Sequence, residues 1–287
     1  MTISSIIKAV LKKIIPKPFV SGIQYSMHFT NDVFDAMTGK NDNPLIPPTR
    51  YMFDGTKTIE DFKKNGEEFF KYYTELCGLK PDEKVLDVGC GIGRKTIPLT
   101  RYLNKDGTYE GFDVVKLGID WCKNKITPKY PNFRFQLADV YNKYYNPTGR
   151  YKPSEYRFPY EDNTYNLITL GSVFTHMMPA DIENYLKEIA RVMKKGGKSI
   201  ISYFILNDES IKLVEAGKST QDFRFKFEGY RTTNPDIPED AISFPEEYII
   251  SIYAKNNLRI IEPIRYGSWC GRERFLSYQD LVIAEKE

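Results

Sequence analysis

Hydrophobic positions along residues 58–206 change their period several times, from helical spacing to short apolar runs and back. Helical spacing predicts a helix over 58–76, which Gly78 and Pro81 end. Short apolar runs predict strands at 84–88, 108–114, 132–137, 165–170 and 198–206, with helices between them at 94–102, 121–126 and 179–193. Because strands and helices alternate with short connections, we predict an α/β fold with a doubly wound, mostly parallel sheet.

The alternation stops after residue 206. Residues 207–244 carry many charges, Pro235, Pro238 and the alternating run FRFKF, which together predict an inserted cap with a β-hairpin. The core pattern then resumes with one predicted helix and two predicted strands, at 245–256, 259–266 and 275–284. These two strands bring the predicted sheet to seven.

The first 15 residues place isoleucine, valine and leucine at helical spacing with lysines between them, and Pro16 ends the segment. This pattern predicts a basic amphipathic helix that is too short and too interrupted by lysine to span a bilayer. Two interpretations stay open: the helix lies on an anionic membrane surface, or it packs over the core or the active site. No secretory cleavage site follows, so we expect a cytoplasmic protein, with membrane association as the alternative. We take residues 1–57 as this helix and a cover segment, and residues 58–287 as one domain that includes the cap.

Composition narrows the function classes. The formal net charge of +3, from 41 basic and 38 acidic residues, does not predict nucleic-acid binding. The cysteines lie far apart and share no paired spacing, at Cys77, Cys90, Cys122 and Cys270. We therefore expect neither a disulfide framework nor a metal site built from cysteine, which favours a reducing compartment.

The stretch VLDVGCGIGR, residues 85–94, places three glycines at alternate positions after a predicted strand: Gly89, Gly91 and Gly93. Glycine lets the backbone adopt positive φ and approach a ligand closely. A dinucleotide site needs G-x-G-x-x-G, but Arg94 stands at the position of the third glycine. Asp87 would also repel a pyrophosphate, whereas it suits an ammonium or sulfonium group. The turn therefore predicts a ligand that is cationic at one end.

This D-x-G-x-G-x-G pattern resembles the class I S-adenosylmethionine-dependent methyltransferases. Later segments match that family in the same order, namely Asp113 at the end of a strand, Ala138-Asp139-Val140, and Gly171-Ser172. The resemblance covers roughly residues 66–287 and implies a Rossmann-like methyltransferase fold with S-adenosyl-L-methionine as the cofactor.

The resemblance also implies the roles of individual residues. Asp87 and Gly89 would hold the methionine end of the cofactor, and Asp113 would accept hydrogen bonds from the ribose hydroxyls. Asp139 would take the adenine amino group. The whole set of implied cofactor-binding residues is Asp87, Gly89, Cys90, Gly91, Gly93, Asp113, Val114, Ala138, Asp139, Val140, Gly171 and Ser172.

The segment after the fourth predicted strand bears on the acceptor. It reads GSVFTHMMP, whereas family members that methylate the exocyclic amines of nucleobases carry Asn/Asp-Pro-Pro-aromatic there. His176 falls where the fold places the rim of the methyl-donor pocket, and an imidazole can take a proton from a hydroxyl near neutral pH. The alternative is a histidine that only caps the next helix or hydrogen-bonds the cap.

Aromatic and basic residues in two loops are candidates for binding the acceptor: Tyr144, Tyr145, Trp269 and Arg272. Aromatic rings pack on sugars and planar molecules, and Arg272 would hold a carboxylate or phosphate. The alternative is that Trp269 anchors its loop and Arg272 forms a surface ion pair.

The resulting hypothesis is a methyltransferase acting on a small-molecule or glycan acceptor, with oxygen as the favoured atom and no metal. N-methylation of a small amine and cofactor binding without turnover are the alternatives. A dinucleotide-dependent dehydrogenase is disfavoured by Arg94.

Overall fold

The computed structural model describes residues 43–53 and 55–287, so the predicted helix of the first 15 residues lies outside the described part. The strands are β1 (Lys84–Val88), β2 (Thr108–Asp113), β3 (Phe133–Leu137), β4 (Tyr165–Leu170), β5 (Met193–Tyr203), β6 (Ile205–Leu206), β7 (Phe225–Phe227), β8 (Tyr230–Thr232), β9 (Ile242–Pro245), β10 (Leu258–Ile260) and β11 (Asp280–Lys286). The helices are α1 (Ile59–Lys71), α2 (Thr96–Leu99), α3 (Lys116–Lys125), α4 (Pro179–Val192), α5 (Asp208–Glu215) and α6 (Glu246–Lys255).

Seven strands form the main sheet in the order β10-β11-β5-β4-β1-β2-β3. The strands from β5 to β3 are all parallel, and β11 runs antiparallel to both β5 and β10. The predicted doubly wound, mostly parallel sheet is therefore confirmed. The strand order reverses between β1 and β4, and ligands of such sheets bind in the crevice outside the carboxyl ends of the strands at that point.

Both faces of the sheet are covered, because consecutive residues of a strand point to opposite faces. Val85 packs with Phe62 of α1 and Ile119 of α3, whereas Leu86 packs with Leu186 of α4 and Ile252 of α6. Each of these residues is at most 3% exposed. Burial on both faces explains why the central strands read as continuous apolar runs.

The segment between β5 and α6 forms a second, four-stranded sheet in the order β6-β9-β8-β7. The FRFKF run enters the β7–β8 hairpin, and β9 pairs in parallel with β6 directly after the main sheet. Helix α6 begins directly after β9, at Glu246. The second sheet therefore remains attached to the carboxyl end of β5.

The last two core strands are placed differently from the prediction. β10 ends at Ile260 and β11 begins at Asp280, so residues 261–279 form a long connection in which only Arg265 makes a bridge, to Leu281. Pro263 has no backbone N–H to donate to a ladder, which prevents β10 from continuing. Among the helices of the described residues, none is both long and apolar enough to cross a lipid bilayer.

Candidate active site

A cavity of about 510 Å³ lies outside the carboxyl ends of β1, β2 and β4. Its floor follows the residues that leave these strands, 88–91, 112–115 and 171–173. Residues from the connections of the second sheet and from the loop before β11 enclose the other side, among them Ala241 and Gln279. Position and size both suit a small-molecule site of a doubly wound fold.

The backbone of the glycine turn approaches this cavity without side chains. Gly89 and Gly91 have φ values of +77° and +58°, which favour glycine. A Cβ at Gly89 would lie 2.3 Å from Cγ2 of Val173, whereas a Cβ at Gly91 would meet no atom within 4 Å. A side chain at Gly91 would therefore fill open space that the turn leaves for a ligand.

Asp113 holds the glycine turn to the end of β2. Its Oδ2 accepts a hydrogen bond from the Gly91 N–H and its Oδ1 accepts one from the Val115 N–H, each at 2.8 Å. Burial raises the pKa of Asp113, and these two N–H donors oppose the shift. Each carboxylate oxygen has two lone pairs, so both can still accept a hydroxyl hydrogen. Asp113 lines the cavity, which is the placement expected of a group that binds two ribose hydroxyls.

Asp87 lies behind the turn and not in the cavity lining. Its side chain is fully buried, and Oδ2 accepts a hydrogen bond from the Tyr109 hydroxyl at 2.8 Å. Among the described residues, Oδ1 has no hydrogen-bond partner. Burial raises the pKa of Asp87, while the charge of Lys95 is the main influence lowering it. The structure thus places Asp87 beneath the turn and outside the cavity lining, and its role in holding the methionine end of the cofactor stays a prediction.

Gly93 also serves packing. A Cβ there would lie 3.0 Å from both Sγ of Cys122 and Cδ1 of Ile126, so this glycine lets α3 approach the turn. It does not belong to the cavity lining, in contrast to the other two glycines and Cys90. The third glycine of the motif thus shapes the turn from behind.

The segment after β3, residues 138–140, agrees only in part with the predicted cofactor contacts. Ala138 is buried and Val140 lines the cavity, but the Asp139 side chain points outward and is 53% exposed. Its Oδ2 lies 3.6 Å from Nε of Arg150. Because side chains alternate along extended backbone, Val140 and Asp139 cannot face the same side. The predicted contact of Asp139 with the adenine amino group is not supported by this placement.

Of the remaining implied cofactor residues, Val114, Gly171 and Ser172 line the cavity as expected. Lys95, which the sequence analysis did not single out, lines it as well. Its Nζ lies 3.3 Å from the Gly171 carbonyl and 5.2 Å from the centre of the Phe69 ring, and the residue is only 4% exposed. The structure therefore places a buried ammonium where the glycine turn meets the end of β4. A basic residue directly after the turn was the only local signal for it.

His176 lies at the end of a 3₁₀ turn, Phe174–His176, and lines the cavity. Its Nδ1 lies 2.9 Å from the backbone carbonyl oxygen of Glu239, in the second sheet's connection. A carbonyl only accepts hydrogen bonds, so Nδ1 carries the proton and Nε2 carries the lone pair. Burial lowers the pKa of His176, which keeps the ring neutral at neutral pH. The Tyr145 ring contacts it edge-on at 5.7 Å.

The structure divides the four predicted acceptor residues. Tyr145 lines the cavity, whereas the neighbouring Tyr144 is 61% exposed and outside the lining. Trp269 and Arg272 are buried away from it and bind Asp280. The indole N–H donates to Oδ2 of Asp280 at 2.7 Å, and Arg272 lies 3.1 Å from Oδ1.

Arg272 also pairs with Oε2 of Glu209 at 2.7 Å. Its guanidinium is therefore committed to two carboxylates, the buried Asp280 and the more exposed Glu209, and its own side chain is only 3% exposed. The expectation that Trp269 and Arg272 contact an acceptor is corrected: they anchor the loop that precedes β11. In the loop before β11, Tyr278 and Gln279 do line the cavity. Two further lining residues, Gln221 and Asp240, come from the segments before β7 and β9. No local motif marks these four.

Comparison with known proteins finds a match of residues 85–197 to a family model described as a methyltransferase domain. This range runs from β1 to the first half of β5. It includes the glycine turn, Asp113 and His176.

Curated relatives match over part of their length. A demethylmenaquinone methyltransferase of Bacillus mycoides (strain KBAB4) is 27% identical over 170 residues, 59% of this chain and 60% of that protein. A Drosophila pseudoobscura pseudoobscura protein named eEF1A lysine and N-terminal methyltransferase homolog is 29% identical over 181 residues, 57% of this chain and 25% of that protein. The chain thus spans between a quarter and three fifths of these relatives.

Solved structures share the fold. A protein of Pyrococcus horikoshii OT3 superposes with a TM-score of 0.53 and 15% identity over 84% of this chain and 97% of that one. Magnesium protoporphyrin IX methyltransferase from Synechocystis PCC 6803 was crystallised with bound S-adenosylhomocysteine (SAH). It superposes with a TM-score of 0.51 and 15% identity over 83% of this chain and 92% of that one. At these identities the similarity concerns the fold.

Proposed function

Because residues 85–197 match a methyltransferase domain family and the cavity lies at the carboxyl ends of β1, β2 and β4, we propose that the protein is a class I S-adenosylmethionine-dependent methyltransferase that transfers the methyl group to an oxygen of a small-molecule acceptor. Oxygen is proposed because His176 lies in the cavity wall as a neutral histidine. Its Nδ1–H donates to the Glu239 carbonyl, which leaves Nε2 able to accept a proton. An alcohol must lose a proton to become methylated, and His176 is the group that would take it.

The residues of the cavity fit the cofactor. The open space at Gly91 accommodates a ligand against bare backbone, and Asp113 keeps lone pairs for two hydroxyls. Lys95 lines the same end of the cavity and would hold the carboxylate of the methionine part, since hydrogen bonds between an ammonium and a carboxylate are charge-assisted. When bound, the cofactor supplies a methyl group on a positively charged sulfur.

The chain's own part in the reaction follows from His176. With Nδ1–H held by the Glu239 carbonyl, Nε2 would accept the acceptor's hydroxyl proton as the oxygen takes the methyl carbon from the sulfur, which would leave S-adenosylhomocysteine as the other product. The buried walls around the site exclude water and orient the two reactants, which supplies much of the rate in methyl transfer. The proton then leaves the imidazolium to solvent.

The test is the variant His176→Ala, assayed by transfer of labelled methyl groups to small hydroxylated acceptors. We expect turnover to fall by roughly 10²- to 10⁴-fold while the SAH Kd, measured by calorimetry, stays within about twofold. The wild-type rate should fall on acidification with a midpoint below the ordinary histidine pKa of about 6.5, because protonation of Nε2 removes the base and burial lowers the pKa. Equal turnover in variant and wild type would remove His176 from the mechanism.

A second candidate is N-methylation of an amine. Asp240, an exposed carboxylate in the cavity lining, favours it, since a carboxylate suits an ammonium group. The acceptor's charge therefore separates the two candidates.

A further inference from the structure

We propose that Gln221, Tyr278 and Gln279 form the acceptor subsite, and that it takes an uncharged, hydroxyl-rich molecule of the sugar type. This inference rests on the proposed function and names its substrate class. All three residues line the cavity, and all three lie outside the part of the chain that matches the methyltransferase domain family.

The first observation is the fixed orientation of the Gln279 amide. Its Oε1 accepts hydrogen bonds from the hydroxyls of Ser172 at 2.9 Å and Ser202 at 2.7 Å. The Ser202 oxygen in turn accepts the Ser172 backbone N–H at 2.7 Å, so each hydrogen in the cluster has an acceptor. The hydrogen bonds of this amide to described residues use Oε1. Its Nε2 therefore presents two N–H donors to the cavity.

The second observation is the opposite orientation of the Gln221 amide. The Thr220 hydroxyl donates to the Trp269 carbonyl at 2.9 Å, so it accepts from the Tyr278 hydroxyl, also at 2.9 Å. The Tyr278 hydroxyl accepts from Nε2 of Gln221 at 2.9 Å. This chain of bonds uses one of the two N–H donors of Gln221 and leaves its Oε1 as an acceptor.

The two amides thus offer a donor and an acceptor on one wall. Tyr278, whose residue surface is 44% exposed, adds an aromatic ring between them. Hydroxyl groups both donate and accept, and the C–H faces of sugars pack on aromatic rings, so this combination suits a polyhydroxylated ring. Ser172, which orients the Gln279 amide, directly follows Gly171, and both are among the implied cofactor-binding residues. The proposed acceptor subsite therefore adjoins the proposed cofactor site.

The third observation is the distribution of charge. The lining cations, Arg94 and Lys95, belong to the glycine turn, and Arg272 is committed to Glu209 and Asp280. Among the described lining residues no cation lies on the second-sheet side, so an anionic acceptor there would face Asp240. A neutral acceptor avoids that repulsion and satisfies both amides.

The experiment compares three pyranosides that share one ring and differ in charge: methyl glucoside, methyl glucuronide and methyl glucosaminide. Their binding to the SAH-saturated full chain is measured by saturation-transfer NMR. We expect the neutral glycoside to bind at least about tenfold more tightly than both charged ones, since neither amide compensates a charge.

The variant Gln279→Glu replaces the two N–H donors with a carboxylate and should weaken the neutral glycoside by at least about tenfold, with the SAH Kd within about twofold. Gln221→Leu, which removes the hydrogen-bond acceptor Oε1, should also weaken binding of the neutral glycoside. The matched control is Gln136→Glu, the same change at an exposed position of β3, which should alter neither affinity.

Tighter binding of the glucosaminide would assign recognition to Asp240 and overturn the inference, as would tighter binding of the glucuronide or no binding of the neutral glycoside. Unchanged glycoside binding in Gln279→Glu would overturn it too. Absence of SAH binding by the wild-type protein would contradict the proposed function and this inference together, whereas intact SAH binding without the neutral preference contradicts the inference alone.

Discussion

Two carboxylates predicted to bind the cofactor, Asp113 and Asp139, lie in different surroundings. Asp113 is buried at the cavity and bound to two backbone N–H groups, whereas Asp139, also predicted to bind the cofactor, is half exposed beside Arg150. Of the two, only Asp113 lines the cavity. A matched pair of variants separates the two placements.

We expect Asp113→Asn to raise the SAH Kd by roughly 10- to 100-fold, because hydrogen bonds to a charged acceptor contribute about 1.5 to 3 kcal/mol. Asp139→Asn makes the same chemical change at an exposed position and should alter the Kd by less than about twofold. Isothermal calorimetry with SAH measures both. Equal losses in the two variants would contradict the assignment of Asp113.

Lys95 allows a test that uses the ligand's own parts. Lys95→Met should weaken SAH by about tenfold and leave 5′-methylthioadenosine unaffected, since that compound lacks the carboxylate that the ammonium would bind. Calorimetry gives both affinities. Lys116→Met is the control, because Lys116 has a side chain 71% exposed on α3. A parallel loss for both ligands would show that Lys95 supports the turn and not the carboxylate.

At the scale of elements, the connection between β10 and β11 depends on one buried ion pair. Asp280 accepts hydrogen bonds from the Gly267 and Ile205 backbone N–H groups, the Trp269 indole and Arg272. These contacts hold the loop that carries two of the proposed acceptor residues. The pair therefore has a structural role that its sequence context does not reveal.

Removal of one partner should be costly, because it leaves the other charge buried and unpaired. We expect Arg272→Met to lower the free energy of unfolding by about 3 kcal/mol or more. Chemical denaturation measures it. Arg274→Met, two residues away and exposed, should change stability by less than about 0.5 kcal/mol. A loss of similar size at both positions would show that the ion pair is not the cause.

Across the whole molecule, the cavity joins segments from both sheets, so a ligand that fills it stabilises the fold against unfolding. At 100 times its Kd, SAH should raise the free energy of unfolding by about 2.7 kcal/mol. Thermal denaturation with SAH and with NAD compares the two ligand classes, and NAD should give no shift because Arg94 stands where the dinucleotide motif needs glycine. Stabilisation by NAD alone would favour the dehydrogenase alternative.

Local sequence patterns by themselves determined the central sheet, the glycine turn and the class of cofactor. Strands buried on both faces leave continuous apolar runs, and a turn that must expose bare backbone requires glycine at named positions. The role of Asp113 was implied by the resemblance to the methyltransferase family, which places an acidic residue at the end of the second strand.

Only the tertiary structure decided which side chains face the cavity. Gln279 binds Ser172 and Ser202, and Gln221 binds Tyr278, although about 60 to 110 positions separate these partners along the chain. Arg272 turns away from the cavity because Asp280 and Glu209 bind it. Orientation of a loop side chain depends on hydrogen-bond partners that are distant in sequence, so no local pattern encodes it. The glycine turn is defined by its neighbours in the chain, whereas the acceptor wall is defined by its neighbours in space.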